Sequence, residues 1–394
     1  MPAVPIDRQD TAKIVWLMGL TGAPRWPRVM RITNAHYRPV GVAPGQKMAR
    51  PSKPPPSSRK RPSMYDVARA AGVSQTTVSL VVNNAPSASI PEATRERIWT
   101  AVRALGWRPN ALARGLTQRQ SQTIGLLSDE IATSPHGGKM IQGMQDVAWT
   151  YGKLLLLTNT SNNPDLERAA LASMLERQVD GVIYAAMFHH CVTPPAELAA
   201  IPAVLVDCSS ADRSFASVVP DEVQGGYTAT AALLRKGHRR IAFINSADAI
   251  PAAVGRLEGY RAALASYGIV FDSTLVRCGQ RPWAAHGYRC MGELLELPEP
   301  PTGVFCFNDQ VAMGAYDAIK QVGLSIPGDV AVVGFDNHEL IAAELRPPLT
   351  TLELPHYAMG QWAVEYLLAD RSEGAWPARI QQKLECPLVE RESV

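Results

Sequence analysis

Residues 64–84 read Met-Tyr-Asp-Val-Ala-Arg-Ala-Ala-Gly-Val-Ser-Gln-Thr-Thr-Val-Ser-Leu-Val-Val-Asn-Asn. The spacing predicts two short helices, about Met64–Ala71 and Gln75–Val82, with Gly72 supplying the turn and Val73 closing its inner side. Ser74 suits the N-cap of the second helix, because its hydroxyl can accept a backbone N–H that has no partner within the helix. Val67, Ala68 and Ala71 share one face of the first helix. Val78, Val81 and Val82 share one face of the second. Small side chains at Ala68 and Ala71 allow the helices to approach closely. Gln75, Thr76 and Ser79 are left facing outward, and short polar side chains at the start of such a helix can reach base edges in a DNA major groove. The competing reading is a plain helical hairpin within a larger helical unit.

Charge weighs between the two. The chain has 394 residues and a net charge of +3. Residues 1–120 carry 19 Lys and Arg against 5 Asp and Glu, or +14; residues 121–394 carry 20 against 31, or −11. A basic front and an acidic remainder point to one module for a polyanion and another for a different ligand. The length allows two or three domains with full cores. No apolar run reaches the roughly 18 residues of a membrane span; Ile14–Leu20 is too short, and no small-residue cleavage pattern follows it. Six scattered cysteines (Cys191, Cys208, Cys278, Cys290, Cys306 and Cys386) show no metal-ligand spacing. They read as buried free thiols in a reducing cytoplasm, with no metal and no cofactor.

Working outward, residues 1–63 are proline-rich and basic. They read either as a disordered tail that adds phosphate attraction or, for residues 1–47, as upstream of a true start at Met48 or Met64. After a polar link, Pro91 opens a third helix whose Ile98, Val102 and Leu105 close a three-helix core, and Gly106 ends it. Ala111–Leu116 is one or two turns of potential helix, too short to be stable alone. It is a plain linker or a segment that folds when paired on DNA, where a protruding leucine can wedge into the minor groove.

From Thr123 apolar strands alternate with helices, which predicts parallel sheets covered on both faces. Two such runs of roughly 100 residues each suggest two α/β lobes. A late helix, His356–Ala369, and a late strand, Leu384–Val389, suggest that the chain returns across the lobe boundary. In such sheets ligands bind beyond the carboxyl ends of the strands. The polar residues there are Asp129, Asp207, Asn308, Asp309 and Asp336. Arg256, at a loop-to-helix junction, can answer the carboxylates, and Trp283 offers a flat apolar face. This set suits a sugar or other polyhydroxy ligand. Each aspartate taken singly also reads as a helix N-cap or loop residue, and Asp309 reads best that way. His189-His190-Cys191 has no third group at triad or metal spacing, and no glycine-rich phosphate loop is present, so no catalysis is expected. His189 is a candidate pocket residue instead.

Several ordered segments carry a resemblance: Tyr65-Asp66-Val67-Ala68, Ala71-Gly72-Val73-Ser74, Thr77-Val78-Ser79, Arg108-Pro109-Asn110-Ala111-Leu112-Ala113, Gly237-His238-Arg239-Arg240-Ile241-Ala242, Arg256-Leu257-Glu258-Gly259-Tyr260, Asn308-Asp309, Val333-Gly334-Phe335-Asp336 and Pro347-Pro348-Leu349-Thr350-Thr351. Over residues 64–390 the chain resembles the family of the lactose-operon and galactose-operon repressors, the LacI/GalR family. The resemblance implies a helix-turn-helix head (64–108), a hinge helix and linker (109–121), and a two-lobed core like a periplasmic sugar-binding protein. The lobes would be 122–220 with about 355–383, and 221–354 with about 384–394. It implies base reading by Gln75 and Thr76, with Tyr65, Ser74, Thr77, Ser79, Asn83 and Asn110 in the DNA-binding set. Leu116 would be the minor-groove wedge and Ala113 a contact between paired hinges. Asp207, Arg256, Asn308, Asp336 and Trp283 would contact the effector, with Asp129 and His189 beside them.

A cytoplasmic, nucleoid-associated homodimer on a near-palindromic operator is expected, with a sugar as its effector. A purine-type effector and a stand-alone sugar-transport receptor are the alternatives. Two departures stand out. Leu80 replaces an arginine common after Val-Ser, and His189-His190 replaces a Tyr/His-Arg type sequence. No long C-terminal heptad follows, so a dimer is expected rather than a tetramer. Removing Arg256 or Asp336 is expected to abolish the effector response without unfolding the chain.

Overall fold

The structure, a computed structural model, describes residues 62–83, 89–108, 121–131, 137–279, 281–369 and 379–394. The head is three helices: α1 (Met64–Ala71), α2 (Gln75–Val82) and α3 (Glu92–Leu105). Ser63 caps α1 reciprocally with Asp66, which satisfies backbone donors that a free helix start leaves open. Gly72 ends the helix at φ 65°, a conformation that costs a residue with a Cβ. Ser74 caps α2 through the Thr77 N–H. Val67, Ala68, Ala71, Val78, Val81, Ile98, Ala101, Val102 and Trp107 form the core of the head. Val82 and Leu105 are only partly buried against it. Pro91 is the residue before α3 rather than its first. The hinge segment 109–120, with Asn110, Ala113 and Leu116, lies outside the described residues.

Two six-stranded sheets follow. The first contains β1 (Thr123–Ser128), β2 (Leu154–Asn159), β3 (Gly181–Val192), β4 (Ala203–Ser210), β5 (Ala216–Pro220) and β11 (Gln381–Leu384), in the order β11-β5-β4-β3-β1-β2. The second contains β6 (Ile241–Ser246), β7 (Val276–Gly279), β8 (Gly303–Cys306), β9 (Ala331–Asp336), β10 (Thr350–Glu353) and β12 (Leu388–Val389), in the order β12-β10-β9-β8-β6-β7. Every described pairing is parallel except β10 with β12. The strands are short apolar runs such as Val-Val-Gly-Phe in β9, buried on both faces by helices, as parallel sheets require.

The helices of the core are α4 (Gly137–Thr150), α5 (Pro164–Glu176), α6 (Glu222–Arg235), α7 (Pro251–Ser266), α8 (Ala284–Leu295), α9 (Asp309–Gln321), α10 (Glu339–Ala342) and α11 (His356–Leu368). The late strand expected at Leu384–Val389 is two strands in different sheets, β11 and β12. Pro387 lies between them, and Cys386 there is fully buried. The chain therefore passes between the sheets three times: after Pro220, after Glu353 and after Leu384. Arg256 lies inside α7, not at its junction, because the helix begins at Pro251, whose fixed φ suits a first turn. Of the six thiols, Cys191 and Cys278 are exposed and the other four buried.

Helices α6 and α7 cross closely enough to exclude side chains. A Cβ on Gly226 would lie 2.4 Å from the Arg256 carbonyl oxygen, and one on Gly255 would lie 2.7 Å from the Glu222 Cβ. This crossing sets Glu222 beside Arg256. A Gly226→Val substitution must push the helices apart, and overpacking of this kind costs about 1–3 kcal/mol. The midpoint of denaturant unfolding should fall accordingly; an unchanged midpoint would mean that the crossing relaxes freely.

Candidate functional site

On the head, Tyr65, Ser74, Gln75, Thr76 and Asn83 are exposed, while Thr77 and Ser79 are half-buried. The Thr77 hydroxyl hydrogen-bonds that of Ser74 at 2.8 Å, and the Asn83 amide donates to Ser79 at 3.2 Å. Thr77 and Ser79 thus brace α2, and Gln75 and Thr76 form its free leading edge. Leu80 is half-buried.

In the core, the carboxyl ends of the two sheets face a cavity of about 540 Å³. Of the expected effector residues, His189, Asp207, Arg256, Trp283, Asn308 and Asp336 line it. Asp129 does not. Its carboxylate accepts the N–H groups of Glu130 and Met187, which draws it into the loop after β1 and ties that loop to β3. Asp309 is not the cap of α9 either. Asn308 is, accepting the Val311 N–H at 2.9 Å. Asp309 is buried as the first residue of α9, where it accepts from the Thr351 hydroxyl and the His338 N–H, both at 2.6 Å. Burial pushes its carboxyl well above the usual range. It is a tie between β10 and the loop after β9.

A bulge builds one wall. Ala185 pairs with Val206 and His190 with Cys208, so four residues of β3 oppose the single residue Asp207. An excess on one strand breaks the ladder and re-aims side chains; here it turns Met187, Phe188 and His189 to the cavity. Asp207 has φ 55° and Asp336 has φ 104°. Such backbone costs of order 1–3 kcal/mol per residue and persists where the surroundings impose it.

The floor is Arg256, 3% exposed. Its Nε donates to Glu222 at 2.7 Å, and its Nη1 donates to the Phe307 carbonyl and lies 3.9 Å from Asp336. The guanidinium lies 3.6 Å from the Phe335 ring centroid and 4.5 Å from that of Phe307. From the other lobe, His189 Nδ1 approaches Glu222 to 3.8 Å, and His356 Nε2 lies 3.8 Å from Asp207. Burial pushes the Glu222 carboxyl up, but the Arg256 charge, the hydrogen bond from Arg256 and the nearby His189 outweigh it, leaving the group below its ordinary value. Burial, reinforced by the Glu222 charge, holds Asp207 well above the carboxylate range. Burial raises Asp336 to about 7 against the pull of Arg256.

The sequence reading missed Glu222, His356, Asp248 and Phe307, which also line the cavity. Glu222 was the findable one. An acidic residue two positions after a short strand, opening a helix, sits where strand-end ligands bind; but β5 itself was not recognised.

A helical head followed in the chain by two parallel-sheet lobes around a polar cavity defines a DNA-binding ligand sensor. The comparisons agree. The model of bacterial regulatory proteins of the lacI family matches residues 63–110, and that of the periplasmic binding protein-like domain matches residues 230–394. The transcriptional regulator GalR of Escherichia coli K12 is 34% identical over 337 residues, covering 84% of this chain and 95% of that protein. The transcriptional repressor PurR of Proteus mirabilis is 33% identical over 339 residues, covering 84% and 96%. Among solved structures, the Lac repressor dimer bound to operator and the anti-inducer ONPF matches with a TM-score of 0.71 at 28% identity, over 85% of this chain and 99% of that one. The CelR–cellobiose complex matches with a TM-score of 0.57 at 30% identity, over 85% and 100%.

The chain belongs to the LacI/GalR family of transcriptional regulators. It is a sequence-specific DNA-binding regulator under allosteric small-molecule control, and not an enzyme. Among the described residues no helix is long and apolar enough to cross a membrane.

Two outcomes follow from the floor. Breaking a buried ion pair from one side costs about 3–5 kcal/mol, because a charge is left uncompensated. Arg256→Ala should therefore lower the unfolding midpoint as well as ligand response, contrary to the expectation that it leaves folding intact; calorimetry with and without the substitution decides. The second concerns pH. With an ordinary value of 3.8 and a folded value of about 7, Asp336 prefers to be protonated in the folded state. Its contribution to stability is full below 3.8 and is lost as pH rises through about 7. Asp336→Asn should make the fall in unfolding temperature across that window shallower. Superimposable pH profiles would remove Asp336 from this role.

Proposed function

We propose that the protein is a repressor that acts as a homodimer on a near-palindromic operator and is controlled by a small sugar-like effector in the cavity between the lobes. The observation that carries the effector class is Asp207. Its Oδ1 is buried without a hydrogen-bond partner on a wall shared with Asn308, Asp336 and the ring of Trp283. A buried polar atom left unmatched is costly, and a ligand hydroxyl matches it whether the carboxyl is charged or protonated. The indole supplies a flat face for the apolar side of a sugar ring. Relatives named for ribose and complexed with cellobiose favour the same class. A purine is the second reading, favoured by the PurR relatives at similar identity and by the aromatic walls Phe188, Trp283 and Phe307.

On DNA, Gln75 and Thr76 read bases while phosphate contacts set the register. The hinge folds on contact, and Leu116 wedges into the minor groove. Ligand binding changes the placement of the lobes and so the alignment of the paired hinges, which couples the two affinities reciprocally.

A thermal-shift screen of sugars and nucleobases on the full chain tests the effector class, and stabilisation by nucleobases alone would displace the sugar reading. Gln75→Ala should weaken selected-operator binding by about 1–3 kcal/mol and relax specificity at one base position. Leu116→Ala should weaken operator binding while ligand affinity stays unchanged. Gel-shift titrations measure both, and operator affinity equal to the parent's would remove either residue from its role.

A further inference from the structure

The walls of the cavity carry more acidic groups than basic ones. Four carboxyl groups line it (Asp207, Glu222, Asp248 and Asp336) against one arginine, Arg256, and burial holds Asp207 and Asp336 toward the protonated form. The guanidinium is already engaged by Glu222, by the Phe307 carbonyl and by Asp336. The two histidines on the walls face carboxylates as well, His189 toward Glu222 and His356 toward Asp207, each at 3.8 Å. Arg281 packs over Trp283 at 5.2 Å but is not among the lining residues. Arg256 therefore has anions beside it, each histidine has a carboxyl group at 3.8 Å, and the unmatched buried atoms include an oxygen of Asp207 and the Nδ1 of His189. An incoming carboxylate or phosphate would meet the like charge of Glu222 and would have to displace it to reach Arg256. A hydroxyl meets no such cost.

We propose that the cavity admits an uncharged polyhydroxy ligand and excludes its carboxylate and phosphate derivatives, and that Glu222 sets this selectivity by occupying Arg256. This rests on the reading of the cavity as the effector site. Glu222 acts through Arg256 and is a positioning residue.

The test has two arms on the full-length protein. Calorimetric titration compares D-galactose with D-galacturonate, D-glucose with D-glucuronate, and D-ribose with ribose 5-phosphate. In any pair that binds, the neutral member should bind at least about tenfold more tightly, a difference worth about 1.4 kcal/mol. Tighter binding of an acid or a phosphate overturns the proposal. The second arm needs no known ligand. Inorganic phosphate at millimolar concentration and matched ionic strength should leave the unfolding midpoint of the parent protein unchanged. It should raise that of Glu222→Gln, and adding Arg256→Met should abolish the rise. An Arg256-dependent rise in the parent overturns the exclusion, and a folded Glu222→Gln protein that gains no phosphate response overturns the role of Glu222. If Glu222→Gln does not fold, the parent's response alone decides the exclusion. Failure of every sugar in the first arm would sink the polyhydroxy effector reading, while the phosphate arm still decides the charge selectivity.

Discussion

The ion pair between Glu222 and Arg256 is the constraint on which the core depends. A guanidinium cannot leave water without replacements for its hydration. Here the replacements come from four places: the first turn of α6, the carbonyl of Phe307 after β8, Asp336 at the end of β9, and two phenyl faces. Satisfying one side chain thus fixes the relative positions of two helices and two strand ends. The close crossing of α6 and α7 is the backbone side of the same arrangement, since only glycine at positions 226 and 255 lets the pair meet. The polar cavity is a consequence. Its floor is neutralised; of the remaining carboxyls Asp336 shares Arg256 at 3.9 Å and Asp207 has His356 at 3.8 Å, so acidic groups still outnumber basic ones on the walls.

That imbalance gives the site its chemistry. Glu222 stays ionised because Arg256 and His189 support its charge, and its charge in turn helps to push Asp207 and Asp336 upward. Neighbouring carboxyls are thereby driven apart in protonation. Glu222 is an acceptor, Asp207 is pushed toward the protonated donor form, and Asp336, raised to about 7, can be either. A hydroxyl group, which donates and accepts, suits all three.

Much of this was legible in the sequence. The two helices of the head, their caps and Gly72 follow from local rules, because capping and the left-handed turn are settled by residues three or four apart. The alternation of apolar strands with helices gave the parallel sheets, and the strand-end rule reached Asp207, Asn308 and Asp336. Errors arose where long-range contacts override local pattern. Asp129 carries the same local signature as Asp207, yet two neighbouring N–H groups claim its carboxylate. Asp309 looked like a cap, but Thr351, 42 residues away, buries it as a tie. β5, β7 and β10, four or five residues long, were not read as strands, and with β5 went Glu222. The bulge in β3 depends on register against β4, which no single strand encodes.

The same architecture explains how the core can report on its cavity. The chain crosses between the sheets three times, and apart from those crossings a few polar contacts span the lobes. Lys139 on α4 pairs with Glu339 at 2.9 Å and Glu353 at 3.3 Å on the second lobe, and His189 approaches Glu222. These contacts are partly exposed or long, so each is individually weak. A ligand touching both walls can therefore change how firmly the lobes are held together. The strands within each lobe are not adjustable in this way. The first described residue after the hinge segment, Ser121, donates its N–H and hydroxyl to Asp180, and Asp180 is in turn held by Lys153 with both side chains 10% exposed. The point where the chain enters the core is thus bound firmly to the first lobe. A displacement of that lobe therefore carries Ser121 with it, which is what a cavity needs in order to act on a DNA-binding head placed before it in the chain.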